Sequence, residues 1–303
     1  LINTDNNILG NAEVIFIDGD SNDSSRKVIS DTLMTTSLNY KIIINKKKTV
    51  PISLNIGIRE SIGSPIIRMD VHTYYPSDYI PKLLSFFHKL KADNIGGVSI
   101  AKSFLGTKKG NLLALLLSTK FGVGNSSFRT GLTNITETDT VVYGCYDRDV
   151  FSKFGYFNEK LERNQDIELN SRIKDNGGKI LTIPSIKSYY YPGDDYKHFL
   201  IKAYKNGLWN IKTIKITNKI SSLRLRHFIP LFFLLYILMV PFGLILFKIF
   251  YLIPLIVYFI LAFYTVITKK INLINSFNFL IIALLTHLSY GFGSLIELTK
   301  KHL

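Results

Sequence analysis

From Phe228 to Ile296 the chain is almost free of charge: Lys248, Lys269 and Lys270 are the charged residues in that stretch. So little polar surface cannot cover an independent water-soluble fold, so this part of the chain is expected to meet lipid. Three apolar runs divide it, 228–247, 249–267 and 277–296. Each is about 19–20 residues, the length a helix needs to cross a hydrocarbon core of ~30 Å. Pro230, Pro241, Gly243 and Pro254 lie inside or at the ends of the runs, where membrane helices tolerate them. Lys248 separates the first two, which leaves a helical hairpin or a re-entrant pair open beside two full crossings.

The net charge of +15 is concentrated just before the first run. Lys197, Lys202, Lys205, Lys212, Lys215, Lys219, Arg224 and Arg226 follow one another without an acidic residue between them. Lys269 and Lys270 follow the second run. Positive residues on these two loops predict that both, and the globular domain, lie on the cytoplasmic side. Lys300 and Lys301 after the third run sit less well with a simple three-pass topology. Tyr204, Leu208 and Trp209 interleave the basic residues, as in a helix lying along an anionic membrane surface. A nucleic-acid binder of this charge would carry a recognition motif, and none is present. A channel or transporter is poorly supported, because the runs contain little that ionises beyond Lys248 and His287. The single cysteine, Cys145, rules out an internal disulfide and reads as a small buried core residue. The expected organisation is a folded domain over 1–196, a basic interfacial segment over 197–226 and a membrane region over 227–303.

The first two hundred residues mix apolar and charged positions and are enough for one full core. A β-rich run over 12–17 leads into the turn cluster Asp18-Gly19-Asp20-Ser21-Asn22-Asp23-Ser24-Ser25. A helix is expected over 30–38 and a strand over 40–44, followed by a solvated lysine loop at 46–48. A second helix opens near Asn55 and stops at Gly63-Ser64-Pro65. The apolar strand Ile66-Ile67-Arg68-Met69 then ends in Asp70-Val71-His72. A helix over 78–90 and a strand over 96–100 follow. Residues 101–138 carry no clear period, and Phe121-Gly122-Val123-Gly124-Asn125 reads as a loop. A strand over 140–146, a helix beginning near Asn164-Gln165-Asp166 and a last strand over 179–183, ended by Pro184, complete the series. Alternating strands and helices predict a mainly parallel α/β sheet. Ligands of such sheets sit at the carboxyl ends of the strands, where Asp18 and Asp70 fall.

Two clusters carry chemistry. On an extended strand, Asp70 and His72 point to the same side and offer one oxygen and one nitrogen to a cation. Asp166 and Glu168 open a helix-like stretch, and either carboxylate is suited to accept a proton or to orient a hydroxyl. A carboxylate there also suits the positive end of the helix dipole.

In order along the chain these pieces resemble family 2 glycosyltransferases of the GT-A nucleotide-sugar fold, in particular the succinoglycan-type exopolysaccharide transferases. The residues that carry the resemblance are Asp18-Gly19-Asp20-Ser21-Asn22-Asp23, Asn55-Ile56-Gly57-Ile58-Arg59 and Arg68-Met69-Asp70-Val71-His72-Thr73. Gly96-Gly97, Gly155-Tyr156-Phe157-Asn158-Glu159 and Arg163-Asn164-Gln165-Asp166-Ile167-Glu168-Leu169-Asn170-Ser171-Arg172 continue it. Gly177-Gly178-Lys179-Ile180 and Gly207-Leu208-Trp209 close it. The likeness covers residues 12–226.

The resemblance implies a Rossmann-like, mostly parallel sheet followed by transmembrane helices. It implies donor contacts from Asp18 and Arg59, and a divalent cation, Mn²⁺ or Mg²⁺, held by Asp70 and His72. It implies Asp166 as catalytic base, with Glu168, Arg172 and Trp209 toward the substrates. The chain departs from the family pattern at three points. Gly19 stands where a second aspartate is common, His72 where the Asp-x-Asp motif has its second acid, and Gln165 where a glutamate is usual. The family also begins with a strand and a Pro-x-x-Asn-like loop before the first matching piece, so an amino-terminal segment is expected to precede Leu1.

The resulting expectation is a multi-pass membrane protein with its catalytic domain in the cytoplasm. It would be an inverting glycosyltransferase that moves a sugar from a nucleotide-diphosphate sugar, a UDP-sugar, to a lipid-linked glycan or polysaccharide precursor. A polyprenyl-phosphate sugar synthase is the close alternative, since a phosphate acceptor needs no base. A non-catalytic membrane scaffold that kept the fold is the alternative from another class.

Overall fold

The β-rich run Glu13-Val14-Ile15-Phe16-Ile17-Asp18 forms the first strand of a computed structural model that describes residues 10–300, except Thr35 and Ser37, together with Ile8. In chain order the elements are β1 (Glu13–Asp18), α1 (Ser25–Leu33), β2 (Asn39–Ile44), α2 (Val50–Glu60), β3 (Ile66–Ile67), β4 (Thr73–Tyr74), α3 (Tyr79–Leu90), β5 (Asn94–Ala101) and α4 (Lys108–Leu117). They continue with β6 (Thr136–Glu137), β7 (Val142–Tyr146), α5 (Asp149–Lys153), α6 (Gln165–Asp175), β8 (Ile180–Tyr190), α7 (Tyr196–Thr217), α8 (Ile229–Phe247), α9 (Ile253–Thr268) and α10 (Leu273–Thr299). Lys301 of the sequence reading, and two positions of the helix expected over 30–38, lie outside the described residues.

The chain divides into two compact units that do not follow chain order. The first comprises Leu1–Ser99 and Leu132–Tyr189, the second Ile100–Gly131 and Tyr190–Leu303.

In the first unit β1 and β2 pair in parallel, from Glu13 opposite Asn39 to Asp18 opposite Ile44. The other strands form a sheet in the order β3-β7-β5-β8-β4, with β6 on β8. β7 runs antiparallel to both β3 and β5, so those two share one direction across it. Gly97 is required where β5 meets β8, because a Cβ there would stand 2.3 Å from the Ile186 carbonyl oxygen. Two cores hold this mixed α/β unit. Tyr146, Phe151, Phe157, Leu169 and Ile173 dominate one. Tyr79, Leu83, Ile95, Ile183 and Ile186 dominate the other, which also buries Cys145 as expected.

Several boundaries differ from the sequence reading, each for a local reason. α1 starts at Ser25, inside the turn cluster, because the Asp23 carboxylate accepts the Ser25 N–H at 2.9 Å. α2 starts at Val50, where Thr49 is extended and Pro51 occupies the first turn, a helix-start signal that precedes the expected opening at Asn55. β8 continues through Pro184 to Tyr190. Pro184 lies beyond Leu181 and Thr182, the residues paired with β6, so its missing N–H breaks none of those pairs.

In the second unit, α4 occupies part of the region without a clear period. Thr107 caps it by accepting the Gly110 N–H at 3.0 Å. Leu112, Leu113 and Leu116 on its inner face pack with Phe199, Phe279 and Ile282, which is why residues 100–131 group with the C-terminal helices. α7 and α10 approach closely at glycines. A Cβ on Gly207 would strike the Tyr290 carbonyl, and one on Gly293 the Tyr204 carbonyl, the small-residue contact that helices in lipid use.

Two helical stretches are long and apolar enough to cross a membrane, by length and composition: 229–268 and Leu273–Thr299. The first is interrupted at Lys248, and the chain turns back there. Phe233 stacks on Tyr258 with ring centroids 4.5 Å apart, and the Tyr236 hydroxyl donates to the Tyr251 carbonyl at 2.8 Å. The first two apolar runs of the sequence therefore form a hairpin.

Candidate active site

Asp18 closes β1. Its carboxylate accepts the Ser21 N–H at 2.9 Å and stands 3.6 Å from the Arg26 guanidinium. The hydrogen bonds of Ser21 hold its carboxyl below the usual carboxylate range. Beside it, buried Asn45 donates its backbone N–H to the Asp18 carbonyl at 2.7 Å. The Asn45 side chain donates to Thr49 O and Ser53 Oγ, which fixes the carboxyl end of β2 to α2.

The segment that carries Asp70 differs from the expected strand. β3 is Ile66–Ile67 alone, and Val71 and His72 form a turn before β4. Val71 is 96% exposed, so the two-residue alternation that would set Asp70 and His72 on one side of a strand does not apply. His72 is exposed at the turn.

Asp70 is held instead by Arg68. The guanidinium donates from Nε to Oδ1 at 2.9 Å and from Nη2 to Oδ2 at 3.0 Å, a bidentate fork. The backbone N–H of Asp70 donates to the Tyr75 hydroxyl at 2.8 Å. Burial opposes the charge of Arg68. Asp70, by charge and hydrogen bond, and then Asp166, by charge, outweigh that effect and raise its pKa. Burial likewise raises the Tyr146 hydroxyl; Arg68 lowers it, and Asp166 and Asp70 raise it further. Asp70 and Asp166, far apart along the chain, therefore stand within electrostatic reach of the same arginine and the same tyrosine.

Asp166 lies in the first turn of α6, where the helix dipole favours a carboxylate. Its Oδ1 accepts the Ile167 N–H at 2.9 Å. Asn164 precedes the helix in the left-handed region at φ 62°. Gln165, in place of the usual glutamate, is buried, and its Oε1 has no hydrogen-bond partner among the described residues.

Glu168 and Arg172 pair with each other. Arg172 grips Glu168 with two bonds, at 2.7 and 2.9 Å, and also donates to the carbonyls of Phe154 and Tyr156. The pair fastens α6 to the loop after α5. On the other side of that loop, Asn55 is 1% exposed. It donates to Phe157 O at 2.9 Å and to Glu159 at 3.0 Å, and accepts the Phe157 N–H at 3.0 Å. Arg59 lies one turn further along α2, with its guanidinium 4.9 Å from the centre of the Tyr156 ring and 3.9 Å from Glu159.

Trp209 belongs to the second unit. It is buried in α7, with the Lys212 ammonium 4.2 Å from the centre of its ring.

Nothing in the sequence pointed to Tyr75 and Asn45, and Arg68 and Asn55 stood in matching motifs without a role of their own. Arg68 left a signal, a charge inside an apolar run two residues before an aspartate, which burial permits only with a partner.

Among the described residues no group of three or more His, Cys, Asp or Glu is placed to hold a metal ion. A carboxylate has about four acceptor positions on its two oxygens, and the Arg68 fork uses one on each. Asp70 thus keeps acceptor capacity for a cation.

Comparison with known proteins agrees with this architecture. Residues 3–154 match the family described as Glycosyl transferase family 2, a match that ends before Asp166. The chain is similar to the dolichyl N-acetyl-alpha-D-glucosaminyl phosphate 3-beta-D-2,3-diacetamido-2,3-dideoxy-beta-D-glucuronosyltransferase of Methanococcus voltae. The two are 27% identical over 202 residues, which cover 65% of this chain and 62% of that one. It is 28% identical over 184 residues to succinoglycan biosynthesis protein ExoA of Rhizobium meliloti (strain 1021), covering 60% of this chain and 54% of that protein. The chain thus spans less than two thirds of the length of either relative. Among solved structures, the mannosyltransferase PcManGT of Pyrobaculum calidifontis, in complex with GDP-Man and Mn²⁺, superposes with a TM-score of 0.56 at 12% identity. The superposition covers 96% of this chain and 79% of that one. The chain belongs to glycosyl transferase family 2, and its strand-and-helix part has the GT-A fold.

Proposed function

We propose that this chain is a membrane-bound inverting glycosyltransferase. It transfers a sugar from a nucleotide-diphosphate donor, a UDP-sugar, to a hydroxyl of a lipid-linked glycan at the cytoplasmic face. The observation that carries the reading is the bidentate hold of Arg68 on Asp70, with Asp166 within electrostatic reach of the same arginine. One carboxylate is neutralised by a bidentate arginine beside a turn that bears an imidazole. The other stands at a helix start with one oxygen not used by its own backbone contact.

In this reading Asp18, at the end of β1 and beside the start of α2, contacts the nucleoside of the donor, and Arg59, near the other end of α2, adds positive charge. Asp70 and His72 hold a divalent cation, which when bound neutralises the donor diphosphate as the leaving group departs. Asp166 takes the proton of the acceptor hydroxyl as that oxygen attacks the anomeric carbon. Arg68 fixes the Asp70 carboxylate, and the Glu168–Arg172 pair holds the loop beneath α6, so both acids stay oriented.

The name of the archaeal relative describes transfer to a dolichyl-phosphate-linked sugar, which supports a lipid-borne acceptor with a free hydroxyl. Apolar stretches over 229–268 and Leu273–Thr299 support a site kept next to such an acceptor, at high effective concentration.

The test is transfer from radiolabelled nucleotide sugars by membranes containing the full chain. Asp166→Asn is expected to lower the rate by about 10²–10⁴-fold, the contribution of a positioned base. Unchanged transfer by this variant overturns the base assignment and favours a phosphate acceptor, which has no proton to lose.

A further inference from the structure

The second unit contains a cavity of about 670 Å³ where the end of α7, the start of α8 and the end of α10 come together. Ile211 and Leu231 line it and are each 5% exposed, whereas Ile220 is 67% and Leu298 49% exposed. The cavity therefore has an apolar floor and an open rim. Lys215 and Lys300 also line it. The Lys215 ammonium donates to the carbonyls of Glu297 and Lys300, which brings the two lysines together at the end of α10. The Glu297 carboxylate stands 3.9 Å from the Lys215 ammonium and 3.3 Å from that of Lys300.

Glu297 is the single acid between Tyr196 and Lys300. Lys219 adjoins Ile220 of the rim, and Arg224 and Arg226 lie on the short connection that leads from it to α8. An apolar hollow edged by cations is thus set where one candidate membrane stretch begins and the other ends. That depth in a bilayer is the boundary between headgroups and acyl chains, and cations there attract anionic headgroups.

We propose that this cavity binds one anionic bilayer phospholipid, with an acyl chain against Ile211, Ile214 and Leu231 and the headgroup phosphate on Lys215 and Lys300. The proposal rests on the membrane placement advanced above and not on the transfer reaction. It makes anionic lipid a structural partner of the α7–α10 pair, distinct from the lipid-borne acceptor.

The full chain, purified in mild non-ionic detergent, is incubated with equal amounts of phosphatidylglycerol and phosphatidylcholine and weighed by native mass spectrometry. One retained phosphatidylglycerol per chain is expected, favoured on the order of tenfold over phosphatidylcholine. Lys300→Glu is expected to bring that preference near parity. Ile220→Trp, which fills the rim, is expected to lower retention of both lipids. Flotation with neutral phosphatidylcholine vesicles is measured in parallel and is expected to be equal for parent and variants. Equal retention of the two lipids by the parent chain, or an unaltered preference in Lys300→Glu, overturns the proposal while flotation persists. A parent chain that fails to float overturns the membrane placement itself, and the proposal with it.

Discussion

Arg68 clasps Asp70 with two parallel hydrogen bonds of 2.9 and 3.0 Å, and both side chains are largely withdrawn from water, at 13% and 22% exposure. Removing one partner of such a pair strands the other's charge at a site that no longer compensates it. Arg68→Met is expected to destabilise the first unit by about 3 kcal/mol, the low end of the range for breaking a buried pair, because neither group is fully enclosed. It is also expected to lower transfer by about 10²-fold, since a carboxylate no longer fixed to within an ångström is a poor ligand or orienting group. Arg68→Lys keeps the cation and loses the fork, so its effect is expected to fall between parent and Arg68→Met. Thermal unfolding and transfer rate, measured on the same preparations, check both. Transfer by Arg68→Met at the parent rate would show that the pair serves the fold alone.

What was legible in the sequence follows from how local each signal is. β1 and its carboxyl-terminal Asp18, α3, β5 and α6 are written in short patterns of period and punctuation, and the structure places them within a few residues of those patterns. Asp70 was legible as a residue of interest, but its setting was not. The apolar run before it looks like a strand, whereas β3 is Ile66–Ile67 alone, Arg68 adds one further N–H bond to Gly144 of β7, and the chain then bends so that the Arg68 side chain can reach Asp70. That bend is decided by a tertiary pairing that sequence spacing does not encode. Glu168 and Arg172 illustrate the same limit. An acid and a base four residues apart on a helix read equally well as substrate contacts or as a clamp. The carbonyls of Phe154 and Tyr156, supplied by another part of the chain, complete the clamp. α4 was missed because its inner face is leucine almost throughout and its partners are the C-terminal helices, so it lacks the polar contrast that marks an amphipathic helix.

The clamp makes a prediction that separates it from the base. Glu168→Gln keeps the shape of the side chain and removes the charge that Arg172 faces. The arginine retains its two carbonyl partners, so the loss is expected to be about 2 kcal/mol, below the usual figure for a broken buried pair. Transfer should fall modestly, in step with the loss of stability. Asp166→Asn should instead lower transfer by about 10²–10⁴-fold with little change in unfolding, because the proton acceptor is gone. A loss of that size in Glu168→Gln, with unfolding unchanged, would move the base assignment to Glu168.

Asp18 ties stability to acid. Its carboxyl lies below the usual carboxylate range in the folded chain because Ser21 donates to it. The unfolded chain takes up that proton near pH 3.9, ahead of the folded one. The contribution is therefore fully present above about pH 4 and is lost as pH falls through the lower, folded value. Asp18→Asn is expected to be less stable than the parent at pH 7, with the difference shrinking toward zero as acid is added. Denaturation midpoints of the two proteins across pH 2–7 measure this. A gap that stays constant down the series would mean that the carboxylate's charge is not what Ser21 stabilises.

The cation prediction turns on His72. An oxygen donor with a single imidazole nitrogen suits Mn²⁺ somewhat better than Mg²⁺, because imidazole binds the softer ion more readily. Dialysis against a chelator is expected to abolish transfer while leaving the thermal unfolding of the chain unchanged, since among the described residues no cluster of protein ligands is placed to make a metal part of the fold. Mn²⁺ is expected to restore transfer more fully than Mg²⁺. His72→Ala should narrow that difference. Full transfer in the presence of chelator would remove the cation from the reaction and leave Arg68, with the cations around the strand ends, as the source of charge against the donor diphosphate.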